Sequence, residues 1–87
     1  MQIQDSKPFR KQVVHLPLAI QIQVTESLEA VQNAATFADI PHFKKLKGYT
    51  HNYRLRVGQY RIGLFWTGQL FIIEAVATRG DFYKNYP

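Results

Sequence analysis

The sequence contains no cysteine, and this absence removes several kinds of site at once. A chain without cysteine has no disulfide framework, no cysteine-ligated zinc and no thiol nucleophile. No apolar run approaches the roughly 18 residues of a membrane span, and the N-terminus lacks the apolar core of a signal peptide. Neither metal-ligand spacing nor a phosphate-binding loop occurs. We therefore expect a cytoplasmic protein that needs no metal, no small-molecule cofactor and no membrane.

Acidic side chains are also scarce, and their distribution is uneven. The chain has six Asp and Glu residues and 11 Lys and Arg residues, which gives a net charge of +5. Residues 1–43 hold three basic and four acidic side chains, whereas residues 44–87 hold eight basic and two acidic ones. A basic half of this kind favours a polyanionic partner, with nucleic acid the first choice. A basic surface that only serves solubility is the alternative.

The N-terminal half indicates a short strand followed by two helices, within one domain spanning residues 1–87. Ser6 can cap the first helix, with Pro8 in its first turn, and Pro17 separates that helix from a second one. The segment from residue 18 to residue 37 also fits strand alternation, but its length and its Glu, Ala and Gln content favour a long helix. Residues 38–51 are predicted to form a loop with at most one helical turn.

From Asn52 onward the apolar residues recur at every second position, as in a strand with one buried face. Gly58-Gln59 has glycine first, which suits a two-residue type II′ hairpin turn. That turn would place Arg56 opposite Arg61 and Arg54 opposite Gly63.

A second tight turn is predicted at Thr67-Gly68, leading into the apolar strand "LFIIEAVAT". With this register Glu74 would lie opposite Arg61, and the tail after residue 78 would be short and polar. The predicted fold is α+β, with two N-terminal helices packed on one face of a small, mostly antiparallel sheet. The other sheet face would be open and basic.

Three arginines on that open face require an explanation, because like charges on facing strands are unfavourable by a few tenths to about 1 kcal/mol. A shared anion would relieve the repulsion, and the planar guanidinium suits phosphate because it donates hydrogen bonds in pairs. Gly63 would leave open space opposite Arg54 for such a ligand. The alternative is three solvated arginines, with Glu74 neutralising one of them.

Two further side chains are candidates for chemistry near the arginines. Tyr83 offers a hydroxyl for proton transfer or a ring for base stacking, although Phe82 and Tyr86 keep the choice among the tail aromatics open. His51 lies just before the arginine strand, and imidazole changes charge near neutral pH. His15 and His42 have no evident partner in the sequence.

The motifs "KKLKGYTHNYRLRVGQYRIGLFW" and "FIIEAVATRGDFYKNYP" resemble the RelE/ParE superfamily of type II toxin–antitoxin toxins. The family pattern is K-L-x-G, a Y-R-x-R-x-G-x-Y-R-I hairpin, an apolar strand and a basic-x-x-x-Tyr tail. It matches residues 45–48, 53–62, 70–77 and 79–83 in turn. The resemblance covers roughly residues 44–83 in detail, and it is closest to the RelE-like mRNA interferase branch.

The resemblance implies a toxin that cleaves mRNA in the ribosomal A site, inhibits translation and is neutralised by a cognate antitoxin. Its partners would be that antitoxin, the ribosome and mRNA. By correspondence with the family motif, the catalytic residues are Arg54, Arg56, Arg61, Arg79 and Tyr83. The residues expected to bind RNA are Lys45, Lys47 and His51.

One departure from the family pattern concerns the general base. Related toxins often carry lysine at the basic strand positions, where this sequence has arginine, and arginine does not deprotonate in proteins. His51, Tyr83, Asp81 or a ribosomal RNA group could accept the proton, although Asp81 also suits an ion pair with a basic neighbour. A ParE-like inhibitor that binds DNA gyrase is the alternative function, and a non-toxic nucleic-acid-binding protein is a third.

Overall fold

The computed structural model describes all residues 1–87, and its sheet contains five strands in the order β1-β5-β4-β3-β2. β1 runs parallel to β5, and the other neighbours are antiparallel. The α+β prediction is therefore confirmed. None of the helices is both long enough and apolar enough to cross a membrane. In chain order the elements are β1 (Gln2–Asp5), α1 (Lys7–Val13), α2 (Leu18–Asn33), a 3-10 turn (Phe37–Asp39), β2 (Phe43–Lys45), β3 (Asn52–Val57), β4 (Tyr60–Trp66), β5 (Leu70–Thr78) and α3 (Arg79–Asn85).

α1 begins where the sequence predicts, because Ser6 Oγ accepts the backbone N–H of Phe9 at 3.2 Å. The helix lies along β5 beyond the residues that β1 pairs with. There Gln12 Oε1 accepts the backbone N–H of Val76 at 2.9 Å. This bond satisfies a main-chain donor at the sheet edge, where an unpaired buried group would be costly.

The hydrophobic core lies between α2 and one face of the sheet. α2 contributes Val24, Leu28 and Val31, and Phe9 of α1 closes one side. A group of aromatic rings surrounds Phe71 at centroid distances of 4.7–5.8 Å. The buried hydrophobic residues of the strands are Leu55, Val57, Ile62, Leu64, Phe71, Ile73 and Val76.

The β3–β4 hairpin has the predicted register. Gly58 has a φ of 57°, which glycine adopts without strain, and Val57 pairs with Tyr60 across the turn. Arg56 therefore pairs with Arg61, and Arg54 pairs with Gly63.

The β4–β5 register differs from the prediction. The N–H of Thr67 donates to the carbonyl of Leu70 at 3.0 Å, so the tight turn is Gly68-Gln69, one position later than expected. A bulge then leaves Glu74 without a partner on β4, and Arg61 pairs with Ala77. The predicted pairing of Glu74 with Arg61 is wrong, because one turn residue and one extra strand residue both shift the register.

Two elements were not predicted. The segment expected to be a loop contains β2, which pairs with β3, and the segment expected to be a short polar tail forms α3. α3 packs on β4 and β5, and its Phe82 is only 1% exposed. The sheet face expected to be open is therefore covered over its β4–β5 half.

Candidate nucleic-acid interface

The side of the sheet opposite the core, here called the outer face, holds the three hairpin arginines. They alternate along β3 and β4 with the buried residues Leu55 and Ile62, so their side chains leave the sheet on the opposite side. Strand pairing arranges the outer face in two rows. One row is Lys44, Arg54, Gly63 and Ala75; the other is Arg56, Arg61 and Ala77.

The β3 arginines donate hydrogen bonds to His42 rather than to a carboxylate. Arg54 Nη1 donates to the carbonyl of His42 at 3.1 Å, and Arg56 Nη2 lies 2.8 Å from His42 Nδ1. A carbonyl and an imidazole nitrogen orient the guanidinium groups without neutralising them. The positive charges of Arg54 and Arg56 are therefore available to bind an external anion.

Arg61 takes a different position, because it is only 9% exposed. Its Nη1 donates to the carbonyls of Gly58 and Tyr60 at 2.8 and 2.9 Å, so the guanidinium folds back on the hairpin turn. Its Nε is buried without a hydrogen-bond partner. A buried donor without a partner costs about 1–3 kcal/mol. Arg61 is therefore a buried cation whose hydrogen bonds are only partly satisfied.

The exposed part of the outer face contains a cleft of about 190 Å³, here called the basic cleft. It brings three lysines, one arginine and one tyrosine together from β2, the segment after it, β3 and α3. Phosphate would find ammonium and guanidinium donors in this cleft, and a base would find an aromatic ring. Its lining residues are Lys44, Lys45, Leu46, Lys47, Arg54 and Tyr83.

Tyr83 is the exposed aromatic of α3. Its side chain is 52% exposed, and its ring meets the buried ring of Phe82 edge to face, with centroids 5.2 Å apart. Phe82 therefore fixes one edge of the Tyr83 ring, while the rest of the ring remains accessible from the basic cleft. Tyr83 is therefore the most exposed of the three tail aromatics.

Sequence reasoning missed Lys44. β2 pairs Lys44 directly with Arg54, next to the predicted Lys45. A three-residue strand is too short to show a period of two, so the sequence carried no signal that Lys44 would share the arginine face.

The space expected opposite Arg54 is filled, because the ring of Tyr86 occupies it. A β-carbon built on Gly63 would lie 2.5 Å from that ring. The Tyr86 hydroxyl donates to Glu74 Oε1 at 2.7 Å and accepts from Asn52 Nδ2 at 3.1 Å. Burial, reinforced by the hydrogen bond to Glu74, raises the pKa of Tyr86 far above its usual range. Tyr86 is therefore a neutral anchor for the end of α3, and Gly63 is not an open ligand site.

The remaining predicted residues do not line the basic cleft. Arg79 is exposed at the start of α3, where its N–H donates to the carbonyl of Gln59 in the hairpin turn at 2.9 Å. Arg56 is exposed two residues from Arg54 on β3. His51 lies just before β3, at the end of the strand away from the Gly58 turn, and its ring centroid is 5.7 Å from that of Phe65. Asp81 is exposed in the first turn of α3.

Comparison with known proteins places this architecture among toxins. No protein-family model matches the chain. A curated relative, Toxin RelE3 of Methanocaldococcus jannaschii, is 35% identical over 88 residues, covering 100% of both sequences.

Solved structures agree with that relationship. The RelB–RelE antitoxin–toxin complex from Methanococcus jannaschii superposes with a TM-score of 0.80 at 34% identity, covering 95% of this chain and 98% of the other. The isolated E. coli RelE toxin shares the fold, with a TM-score of 0.70 at 17% identity over 95% of this chain and 90% of that one. The 35% identity to a RelE toxin extends over the full length of the chain, and the fold is the same. This chain therefore belongs to the RelE family of toxins from toxin–antitoxin systems.

Proposed function

We propose that this toxin is a ribosome-dependent mRNA endonuclease that stops translation by cutting messages. The observation that carries the proposal is the basic cleft, where Arg54 and three lysines surround the accessible ring of Tyr83. A strand of RNA presents phosphates and bases in alternation, and this cleft offers matching donors and a stacking surface.

The reaction we propose uses a nucleophile that RNA itself supplies. The 2′-oxygen attacks the adjacent phosphorus, so the O2′–P bond forms as the P–O5′ bond breaks. The 2′-hydroxyl gives its proton to a base, and the departing 5′-oxygen takes one from an acid or from water. The protein has to align this attack and stabilise the negative charge on the phosphorane, which are tasks for placed cations.

The cationic side chains divide this work by position. Arg54, beside Lys44, would hold the phosphate in the basic cleft, and the exposed Arg79 would clamp it from the start of α3. Arg56 and Arg61 would add to the positive potential of the outer face. The charge of Arg61 would be less screened by water, because this side chain is buried. Tyr83 would stack on a nucleotide and orient it. Lys45, Lys47 and His51 would contact the flanking RNA.

The candidates for the general base are the groups that can lose a proton. Arg54 and Arg56 cannot, because guanidinium stays protonated in proteins. We add Lys44 to His51, Asp81 and Tyr83 as a candidate, because a lysine amine can deprotonate and Lys44 pairs with Arg54. Replacing Lys44 by Arg keeps the charge and removes the base, so it separates the two roles.

We further propose that a cognate antitoxin protein holds this chain inactive. The support is the similar structure from Methanococcus jannaschii, which contains a RelE toxin in complex with a RelB antitoxin. Co-expression with a candidate antitoxin should restore growth and give a stable complex on purification.

The decisive experiment is inducible expression of the chain, followed by mapping of RNA 5′ ends across the transcriptome. We expect growth arrest and new cuts confined to translated regions and in phase with codons. The Arg61→Ala/Arg79→Ala double variant should lose both effects. Purified chain incubated with a message, with and without ribosomes, then tests ribosome dependence. Intact messages together with trapped DNA breaks and an SOS response would overturn the proposal in favour of gyrase inhibition.

A further inference from the structure

His42 belongs to none of the groups of residues assigned so far, yet its backbone is unusual. It lies just before β2, and its φ of 58° is the only positive value at a residue other than glycine. L-residues avoid this left-handed region, although histidine enters it more readily than most. A conformation of this kind persists only where surrounding contacts impose it, and such residues concentrate at functional sites.

The contacts that impose it come from the arginine strand. The carbonyl oxygen of His42 accepts the backbone N–H of Arg56 at 3.0 Å and Arg54 Nη1 at 3.1 Å. Both lone pairs of one carbonyl are thus used by two neighbouring outward-facing residues of β3. The first bond fixes the strand to the segment before β2, and the second directs the Arg54 guanidinium toward the β2 edge.

The imidazole makes a third contact. His42 Nδ1 lies 2.8 Å from Arg56 Nη2. Guanidinium has only donors, so Nδ1 has to be the acceptor, and the neutral ring carries its proton on Nε2. A doubly protonated imidazole has no acceptor nitrogen and bears a positive charge. Protonation would therefore both remove this hydrogen bond and repel Arg56.

The other charged groups around the ring determine where it would move. β2 pairs with β3 only as far as Leu55, and at the open edge beyond it a cleft of about 270 Å³ is lined by His42 and Arg56 on one side and by Glu26, Gln23 and Ser27 of α2 on the other. Arg54 approaches from β3, and Lys44 follows two residues along the chain. A protonated ring is repelled by these cations and attracted by Glu26. The protonated ring would therefore move away from the arginines and toward α2.

We propose that His42 is a positioning residue that holds Arg54 and Arg56 in one arrangement on the outer face, and that protonation of its imidazole releases Arg56. The inference rests on the proposed function only in that these arginines bind RNA phosphate. The part that concerns the free protein stands on the hydrogen bonds alone. His42 does not touch the reacting atoms; it acts through the two guanidinium groups.

The first test uses the free protein. Nitrogen-15 NMR should show that the neutral imidazole carries its proton on Nε2 and leaves Nδ1 unprotonated, and the Arg56 side-chain signal should broaden when the imidazole becomes doubly protonated. In His42→Gly, which accepts the positive φ, the Arg56 signal should be broad at every pH, whereas His15→Ala, at another exposed histidine, should leave it unchanged. A neutral ring protonated on Nδ1, or an equally ordered Arg56 in His42→Gly, would overturn the proposal.

The second test uses RNA cleavage and separates the ring from the backbone. Glycine accepts a positive φ, so His42→Gly retains the carbonyl contacts and removes only the ring; asparagine tolerates the same backbone and retains a side-chain acceptor. We expect kcat to fall about ten- to a hundredfold in His42→Gly, with a smaller change in KM, and to recover in part in His42→Asn. Full activity in His42→Gly would exclude a role for the ring. If the wild type cuts no RNA, the proposed function fails, while the NMR experiment still decides the inference about His42.

Discussion

The phenol ring of Tyr86 lies directly on Gly63, so close that a methyl group at Gly63 would come within 2.5 Å of it. This contact joins the end of α3 to the centre of the outer face. α3 carries Arg79 and Tyr83, so the placement of two proposed active-site residues depends on a glycine in the middle of β4. Glycine in the middle of a strand usually weakens it, because glycine has no side chain to pack. At position 63 the Tyr86 ring needs the space that a side chain would fill.

Substituting Gly63 by Ala should therefore destabilise the protein and loosen α3. The added methyl group must displace the Tyr86 ring or the strand, and overpacking of this kind costs about 1–3 kcal/mol. Gly80→Ala is the matched control, because nothing lies within 4 Å of its added methyl and alanine favours the helix, by up to about 1 kcal/mol. Urea unfolding midpoints measure both. Equal stability of the Gly63 variant and the wild type would show that α3 does not depend on this contact.

Tyr86 should make stability fall at high pH. Its pKa is raised in the folded protein, chiefly by burial, whereas in the unfolded chain the phenol ionises near its ordinary value of 10.0. Below that pH the contribution of Tyr86 is constant. Above it, the unfolded chain loses a proton that the folded chain keeps, so the free energy of unfolding decreases as pH rises.

Tyr86→Phe isolates this effect from the other tyrosines and the lysines. We expect the variant to be about 1–3 kcal/mol less stable at neutral pH, because the carboxylate of Glu74 and the amide of Asn52 lose their shared partner. The difference between variant and wild type should shrink from about pH 10 upward. Urea midpoints measured across that range provide the test. A constant difference would mean that the folded protein does not hold the Tyr86 proton.

Arg79→Ala should reduce RNA cleavage with little change in stability. Arg79 is exposed, and substitutions at such positions change stability by about 0.5 kcal/mol or less. Loss of one cation that stabilises the transition state should lower kcat by about a hundredfold or more. Lys84→Ala, in the last turn of the same helix and without an assigned role, is the control for charge. Similar activities of the two variants would remove Arg79 from the proposed site.

Tyr83 should act mainly through its ring rather than its hydroxyl. The ring is 52% exposed and lines the basic cleft, so stacking on a base should be worth about 1–3 kcal/mol. Tyr83→Phe should keep most of the affinity for single-stranded RNA, and Tyr83→Ala should lose it; fluorescence anisotropy with a labelled oligonucleotide measures both. If Tyr83→Phe binds normally but cleaves no RNA, the hydroxyl takes part in proton transfer instead.

The hairpin that carries the arginines could be predicted from the sequence because local geometry controls it. Strict alternation from Tyr53 to Val57, closed by a glycine that readily takes a positive φ, leaves one register. Ser6 at the start of α1 is a similar case, since a cap acts on the N–H three residues away. The family motif then assigned roles to residues that this local pattern had already placed together.

The sequence by itself thus determined the α+β class, the helix start at Ser6 and the common face of the three arginines, since each depends on backbone preferences within a few residues. The tertiary structure decided the rest: β2 forms because the edge of β3 offers it hydrogen bonds, and it brings Lys44 beside Arg54. α3 covers half of the outer face because Phe82 and Tyr86 find a buried surface there, and His42 becomes the partner of two arginines through the same edge. These contacts join residues far apart in the chain, and their free energy exists only when the whole sheet is assembled, so no short window of sequence reports them.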